Sequence, residues 1–206
     1  VDCSTCRPAN HGPRLPLTEG YKWSLNVVFA QLALQVGATR MDEYARRFGF
    51  GTQYDLGVPV AASKIASDTA QLAGSKNLLA ATGYGQGDVQ ATPLEMALVA
   101  ATVARGGTLP TPYLVGSIRE PQTNSLVWQF QPHDIGRVLS PAANDVLKGM
   151  MVESINTGWA SGAAIPGATV GGKTGTAETG RGTSHSWFLG WAGVDPAKPQ
   201  FAVAVI

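Results

Sequence analysis

No apolar run in this chain of 206 residues reaches the roughly 20 residues that a bilayer-spanning helix requires. No transmembrane span is therefore expected within it. Charge is also scarce. Only 14% of residues are Asp, Glu, Lys or Arg, and the formal net charge is +1. Such a balance gives no polybasic surface for nucleic acid or an anionic membrane. Cysteine is confined to Cys3 and Cys6, so a disulfide-built scaffold is excluded. The C-x-x-C pair lacks a second pair or suitably spaced histidines for zinc. A redox pair wants a helix N-terminus to lower the thiol pKa, whereas Ser4, Thr5 and Arg7-Pro8 read as loop. A local disulfide and two plain loop cysteines both remain open. No internal repeat or low-complexity segment is present. There is no starting Met. The terminal run Phe201-Ala-Val-Ala-Val-Ile206 reads as a strand cut short, so a piece of a longer protein is expected, truncated at both ends.

What is present is a hydrophobic content of 44% with 25 glycines, enough apolar material for one sizeable, tightly packed core. The stretch Val170-Gly171-Gly172-Lys173-Thr174-Gly175-Thr176-Ala177-Glu178 stands out. It sets one lysine among glycines and hydroxyls. Val170 before it and Trp187-Phe188-Leu189-Gly190-Trp191 after it read as strand, with Gly180–Ser184 as the turn. Lys173 is therefore placed on the first strand of a hairpin, where glycines let a ligand or another backbone approach. Two chemistries compete for it. Gly167 to Thr174 satisfies G-x-x-x-x-G-K-[ST], a phosphate loop that works only before a helix N-terminus. The residues after Lys173 are poor helix formers. The alternative is K-T-G, the third motif of penicillin-recognising serine acyl enzymes. A solvated hairpin lysine is the plain reading.

The rest of the chain reads as helices first and hairpins last. Thr18 is expected to cap a short helical stretch through Trp23. An apolar helix follows over 27–36, stopped by Gly37 and, being apolar nearly all round, expected to be buried. Ser24 and Asn26 stand at its mouth, where either residue type is a natural N-cap. An amphipathic helix over 39–48 is capped by Thr39 and stopped by Gly49. Residues 49–66 read as loop, and 67–90 give no clear pattern. Thr92-Pro93-Leu94-Glu95 is a capping box with Pro at the first helical position, opening a helix to Arg105. Strands are expected over 113–120 and 126–131. Ser140-Pro141 opens a helix to Asn156, with Met150 and Met151 as core fillers.

Three segments together resemble the transpeptidase domain of penicillin-binding proteins, most like the monofunctional class B type. Ser24-Leu25-Asn26 before an apolar helix matches S-x-N. Gly85-Gln86-Gly87, then Ala91-Thr92-Pro93-Leu94-Glu95-Met96-Ala97 and Ala104-Arg105-Gly106-Gly107, resembles G-Q-G…T-P-L-Q-M-A…A-N-G-G. Lys173-Thr174-Gly175-Thr176-Ala177-Glu178 with Trp187-Phe188 resembles K-T-G-T-A-E…W-F. The order is right and the likeness spans essentially residues 1–206, read as one partial domain. One departure matters. The nucleophile motif S-x-x-K is absent: Lys22, Lys64, Lys76, Lys148, Lys173 and Lys198 all lack a serine three residues earlier. Ser4-Thr5-Cys6-Arg7 imitates it, but arginine cannot give up its proton to act as base.

The resemblance implies an α/β, penicillin-binding/serine β-lactamase-like fold: a central, mainly antiparallel, five-stranded sheet with helices on both sides, incomplete in this chain. It implies a serine D,D-transpeptidase that cross-links peptidoglycan stem peptides ending in D-Ala-D-Ala and is acylated by β-lactams. It needs no cofactor or metal. Ser24 would pass the proton, Asn26 would hold the acyl donor's amide, and Lys173 would supply positive potential. Thr174 and Thr176 would bind the terminal carboxylate, Gly175 would admit the substrate strand, and the N–H of Thr176 would be an oxyanion donor. Trp187 walls the cleft or fills the core, His185 is an ordinary hairpin histidine or a ligand, and Tyr84 and Gln86 read as structural. The missing N-terminal half would bring the serine, so this chain alone should be inactive and unstable as a monomer. The implied location is the outer face of the cytoplasmic membrane, anchored from outside this chain, with cell-wall synthesis partners. A β-lactam-hydrolysing or sensing relative and a non-catalytic interaction fragment are the other classes to weigh.

Overall fold

The computed structural model describes residues 15–180 and 182–206. Cys3, Cys6 and the Ser4–Arg7 imitation lie outside them. Helix α1 spans Leu17–Lys22, entered from Pro16 with no side-chain cap. Thr18 lies inside the first turn, so it does not cap. Helix α2 spans Asn26–Val36 and α3 spans Ala38–Phe48. A single glycine, Gly37, ends the first and begins the second. That leaves Thr39 helical rather than capping. Gly49 stops α3 in the left-handed region at φ 111°, the usual glycine stop.

The stretch that gave no pattern holds two short helices. Helix α4, Thr69–Gly74, is capped by Asp68, and α5, Lys76–Thr82, is capped by Ser75. Helix α6, Pro93–Ala104, starts as expected, with Thr92 Oγ1 accepting the N–H of Glu95 at 3.1 Å. The box closes only halfway, because the N–H of Thr92 donates to Ser63 Oγ at 3.0 Å instead. Strand β1 (Thr108–Pro110) pairs with β4 (Asp134–Arg137), a pairing that three- and four-residue strands do not announce in sequence. Between them β2 (Ser117–Arg119) and β3 (Leu126–Gln129) form a hairpin shorter than expected. Helix α7 covers Pro141–Thr157, capped by Ser140.

Three strands close the chain: β5 (Thr169–Glu178), β6 (Ser184–Gly193) and β7 (Phe201–Val205). They form one antiparallel sheet in the order β5-β6-β7. Helix α7 packs along β5, and α6 packs along β6 and β7. The core between them is Val103, Met151 and Trp191, with Leu147, Val152 and Leu189 around it. Trp191 is 1% exposed and its indole lies directly against Gly171, where a Cβ would collide with it. Gly171→Ala is therefore expected to cost about 1–3 kcal/mol by overpacking, read as a lower denaturant midpoint. An unchanged midpoint would show that the indole can move.

Helix α2 corrects one expectation. It is apolar nearly all round, yet Ala33 is its buried residue, while Val27, Leu34 and Val36 are exposed. Ala33 joins Ala38, Leu72 and Leu79 in a small cluster. The helix packs against α5 and its chain neighbours α1 and α3, so the described residues cover only part of its surface.

Candidate active site

The site begins at the end of α1. The N–H of Leu25 bonds to the carbonyl of Gly20 at 2.9 Å, and the N–H of Ser24 bonds to that of Tyr21 at 3.1 Å. This pair of bonds is a Schellman motif, and Ser24 occupies the position that glycine usually takes. Its φ is 54°, left-handed and sterically costly for a residue with a Cβ. The position therefore carries serine against backbone preference, which is where functional strain is found. Neither Ser24 nor Asn26 caps α2, because Leu25 holds the N-cap position and makes no side-chain bond. The simpler capping explanation for both residues is overturned. Replacing Ser24 with glycine is expected to raise stability by about 0.5–1 kcal/mol, because the left-handed turn is relieved. A fall in melting temperature would mean that the hydroxyl contributes more than the backbone strain costs.

The hairpin supplies the partner. Lys173 pairs with Leu189 on β6, Thr174 with Phe188, Gly175 with Trp187 and Thr176 with Ser186. The Lys173 ammonium donates to Ser24 Oγ, 149 residues away in sequence, and to the carbonyl of Thr174 at 2.8 Å. It also lies 5.8 Å from the centre of the Tyr21 ring. Burial pushes the Lys173 pKa down to about 8, because losing water penalises the ammonium. No carboxylate forms an ion pair with Lys173 among the described residues. Burial also pushes the Tyr21 phenol up, so the ring beneath the lysine is neutral.

One edge of β5 pairs with β6, and no other strand pairs with β5 among the described residues. The carbonyl of Thr176 accepts from Gln86 Nε2 at 3.5 Å, away from β6. In an antiparallel strand a residue's N–H and C=O face the same side, so the N–H of Thr176 faces the open edge too. Thr176 and Gly175 are exposed, and Thr174 is half-buried. Asn26 is the first residue of α2, two positions from Ser24, with an exposed side chain. An open strand edge beside a hydroxyl and a low-pKa amine can pair with an extended peptide and move a proton next to it. Thr174 sits mid-strand rather than at a helix N-terminus, which removes the phosphate-loop alternative.

Some neighbours carry contacts that the sequence does not mark. Gln86, read as structural, reaches the hairpin's open edge through the bond to Thr176. The neighbouring Gly85-Gln86-Gly87 match was the signal available for it. Tyr84 and His185 are exposed, and Trp187 is half-buried opposite Gly175. Trp159's bond to the Trp23 carbonyl and Tyr21's place beside Lys173 have no local sequence signal, because both contacts cross the fold.

A hydroxyl-lysine pair beside an open strand edge, on a sheet backed by helices, defines the class: a penicillin-binding/serine β-lactamase-like fold. The chain belongs to the penicillin-binding protein transpeptidase domain family, which it matches over residues 6–206. It is 34% identical over 204 residues to the peptidoglycan D,D-transpeptidase PbpA of Mycolicibacterium smegmatis, covering 97% of this chain and 40% of that protein. It is 36% identical over 173 residues to penicillin-binding protein 3 of Bacillus subtilis, covering 81% of this chain and 24% of that protein. Among solved structures, the imipenem acyl-enzyme of penicillin-binding protein A from M. tuberculosis superposes with a TM-score of 0.84. It is 35% identical and covers 97% of this chain and 44% of that one. The D,D-transpeptidase domain of a peptidoglycan glycosyltransferase from Eggerthella lenta gives 0.84 at 32% identity, covering 95% of this chain and 49% of that one. The chain thus spans less than half the length of these relatives.

Proposed function

We propose that this chain supplies the Ser24 and Lys173 walls of a serine D,D-transpeptidase cleft, the nucleophilic serine coming from a segment outside it. Residues 1–206 are then part of one transpeptidase domain. The observation that carries the reading is the contact between Lys173 and Ser24, made by two motifs far apart in sequence at the edge of an open strand.

The chemistry follows from the parts. The outside serine attacks the carbonyl of the penultimate D-Ala, and terminal D-Ala leaves as an amine. Ser24 carries the proton to that amine, and Lys173 keeps the hydroxyl oriented and the local potential positive. The terminal carboxylate lies on the hydroxyls of Thr174 and Thr176. The N–H of Thr176 faces the developing oxyanion. Gly175 keeps the edge clear for the substrate backbone, and Asn26 holds the donor's amide. An acceptor amine from a second stem peptide then takes the acyl group, which completes a cross-link. β-Lactams enter the same cleft and stop at the acyl-enzyme. A protein that acts on peptidoglycan would do so outside the cytoplasmic membrane, with its anchor in a segment beyond this chain and other cell-wall synthesis proteins alongside it.

The test is release of D-Ala from a synthetic stem pentapeptide by the full-length protein. Release or transfer, lost in Ser24→Ala, supports the reading. No turnover despite penicillin acylation would favour a sensing relative, and hydrolysis of the β-lactam itself would favour a lactamase.

A further inference from the structure

The strained Ser24 turn is not held by α1 alone. A six-residue helix is marginal by itself, so its Schellman end needs support from outside. The corner after α7 does this. Trp159 Nε1 donates to the carbonyl of Trp23 at 3.2 Å, the peptide immediately before Ser24. The two indoles meet edge to face, with centroids 5.7 Å apart and planes at 89°. Gly158 lies flat on the carbonyl and side chain of Lys22, where a Cβ would stand 2.9 and 2.6 Å from them. Lys22, 9% exposed, is tied to Glu19 at 2.7 Å and to Glu153 on α7 at 3.8 Å. Trp159 itself is 51% exposed, so burial does not account for a tryptophan there. Its N–H fills a carbonyl that the end of α1 leaves unpaired.

We propose that Trp159 is a positioning residue: it clamps the Trp23–Ser24 peptide from the α7 corner and so holds the Ser24 hydroxyl against Lys173. The assignment rests on the transpeptidase reading for its consequence, but the clamp itself acts on a contact within this chain. Loss of the Trp159 N–H leaves the peptide held by the Ser24 and Leu25 amide bonds to Tyr21 and Gly20 alone, which loosens the placement of the hydroxyl against Lys173. The fold remains, because an exposed ring contributes little to the core.

The experiment compares Trp159→Phe, which keeps the ring contact, with the parent in the full-length protein, each with and without Ser24→Ala. The first readout is the rate of acylation by a fluorescent penicillin. Trp159→Phe is expected to slow it about tenfold, the size of one directed hydrogen bond, with the melting temperature within a few degrees. In the Ser24→Ala background the same change should have no further effect, since the two act as one unit. The second readout is the reactivity of Lys173 toward acetic anhydride, measured by peptide mass spectrometry. Trp159→Phe should shift it in the same direction as Ser24→Ala. An unchanged acylation rate, equal slowing in both backgrounds, or unchanged Lys173 reactivity overturns the proposal. If the parent is not acylated at all, the transpeptidase reading fails, and Lys173 reactivity still decides the clamp.

Discussion

Lys173→Met is expected to slow penicillin acylation of the full-length protein by about 10²–10³-fold, the usual worth of one preorganised electrostatic donor. Stability should move the other way. The unfolded chain holds the Lys173 proton up to pH ~10.4, whereas the folded chain releases it near 8. Between those values the unfolded state binds more protons, so the folded state gains stability as pH rises. Below pH 8 the ammonium is buried at full cost. Methionine removes that cost, so the variant should be more stable at pH 7 by about 1–2 kcal/mol, a value already discounted for partial exposure. The gain should fade by pH 10. Thermal melts at pH 7 and pH 10 check both limbs. A variant that is less stable at pH 7 would show that the Ser24 and Thr174 bonds outweigh desolvation.

Glu95→Gln is expected to have the largest effect on stability. Glu95 is 1% exposed. Its Oε1 and the nearby Tyr54 hydroxyl are buried without hydrogen-bond partners among the described residues. A Cβ on Gly49 would collide with the Tyr54 hydroxyl and stand 2.8 Å from Glu95 Oε1, which shows how closed the site is. Burial pushes the Glu95 carboxyl up to about 7, and the Glu95 charge, after burial, helps push the Tyr54 phenol up to about 12. Here the folded state binds more protons between pH 4.5 and 7. The contribution is therefore fully present below 4.5 and is lost as pH rises through 7. Glutamine mimics the protonated form and does not titrate. At pH 8 the variant should be more stable by about 2–3 kcal/mol, or roughly 5–10 °C in melting temperature. At pH 4.5 the two proteins should melt together. Equal stability at pH 8 would mean that water or a cation reaches the carboxylate.

The Glu95 case shows what sequence carried and what it did not. Its position, N3 of a helix opened by Thr92-Pro93, was legible because capping is a local code. The Gln in the matching family motif hinted that a neutral side chain fits there. The absence of a returning bond to Thr92 was not legible, because Ser63 arrives from a loop 29 residues upstream. The same division holds at the active site. Strand, turn and lysine in the last hairpin were readable from the aromatic-apolar run 187–191 and the glycines before it. The left-handed Ser24 was not, since serine before an apolar helix looks like a cap. The Schellman end of α1 sets that turn, and the Lys173 contact that gives the serine a partner there is tertiary. The two-sided exposure of α2 was also hidden: composition says that a helix is apolar, not what covers it.

The measurement that bears most directly on the account is covalent labelling by a fluorescent penicillin, read by intact mass, on this chain and on the protein extended upstream. A stoichiometric adduct is expected on the extended protein, mapped to a serine outside residues 1–206, and none on this chain. An adduct on Ser24 in the short chain, or no adduct on either, would contradict it.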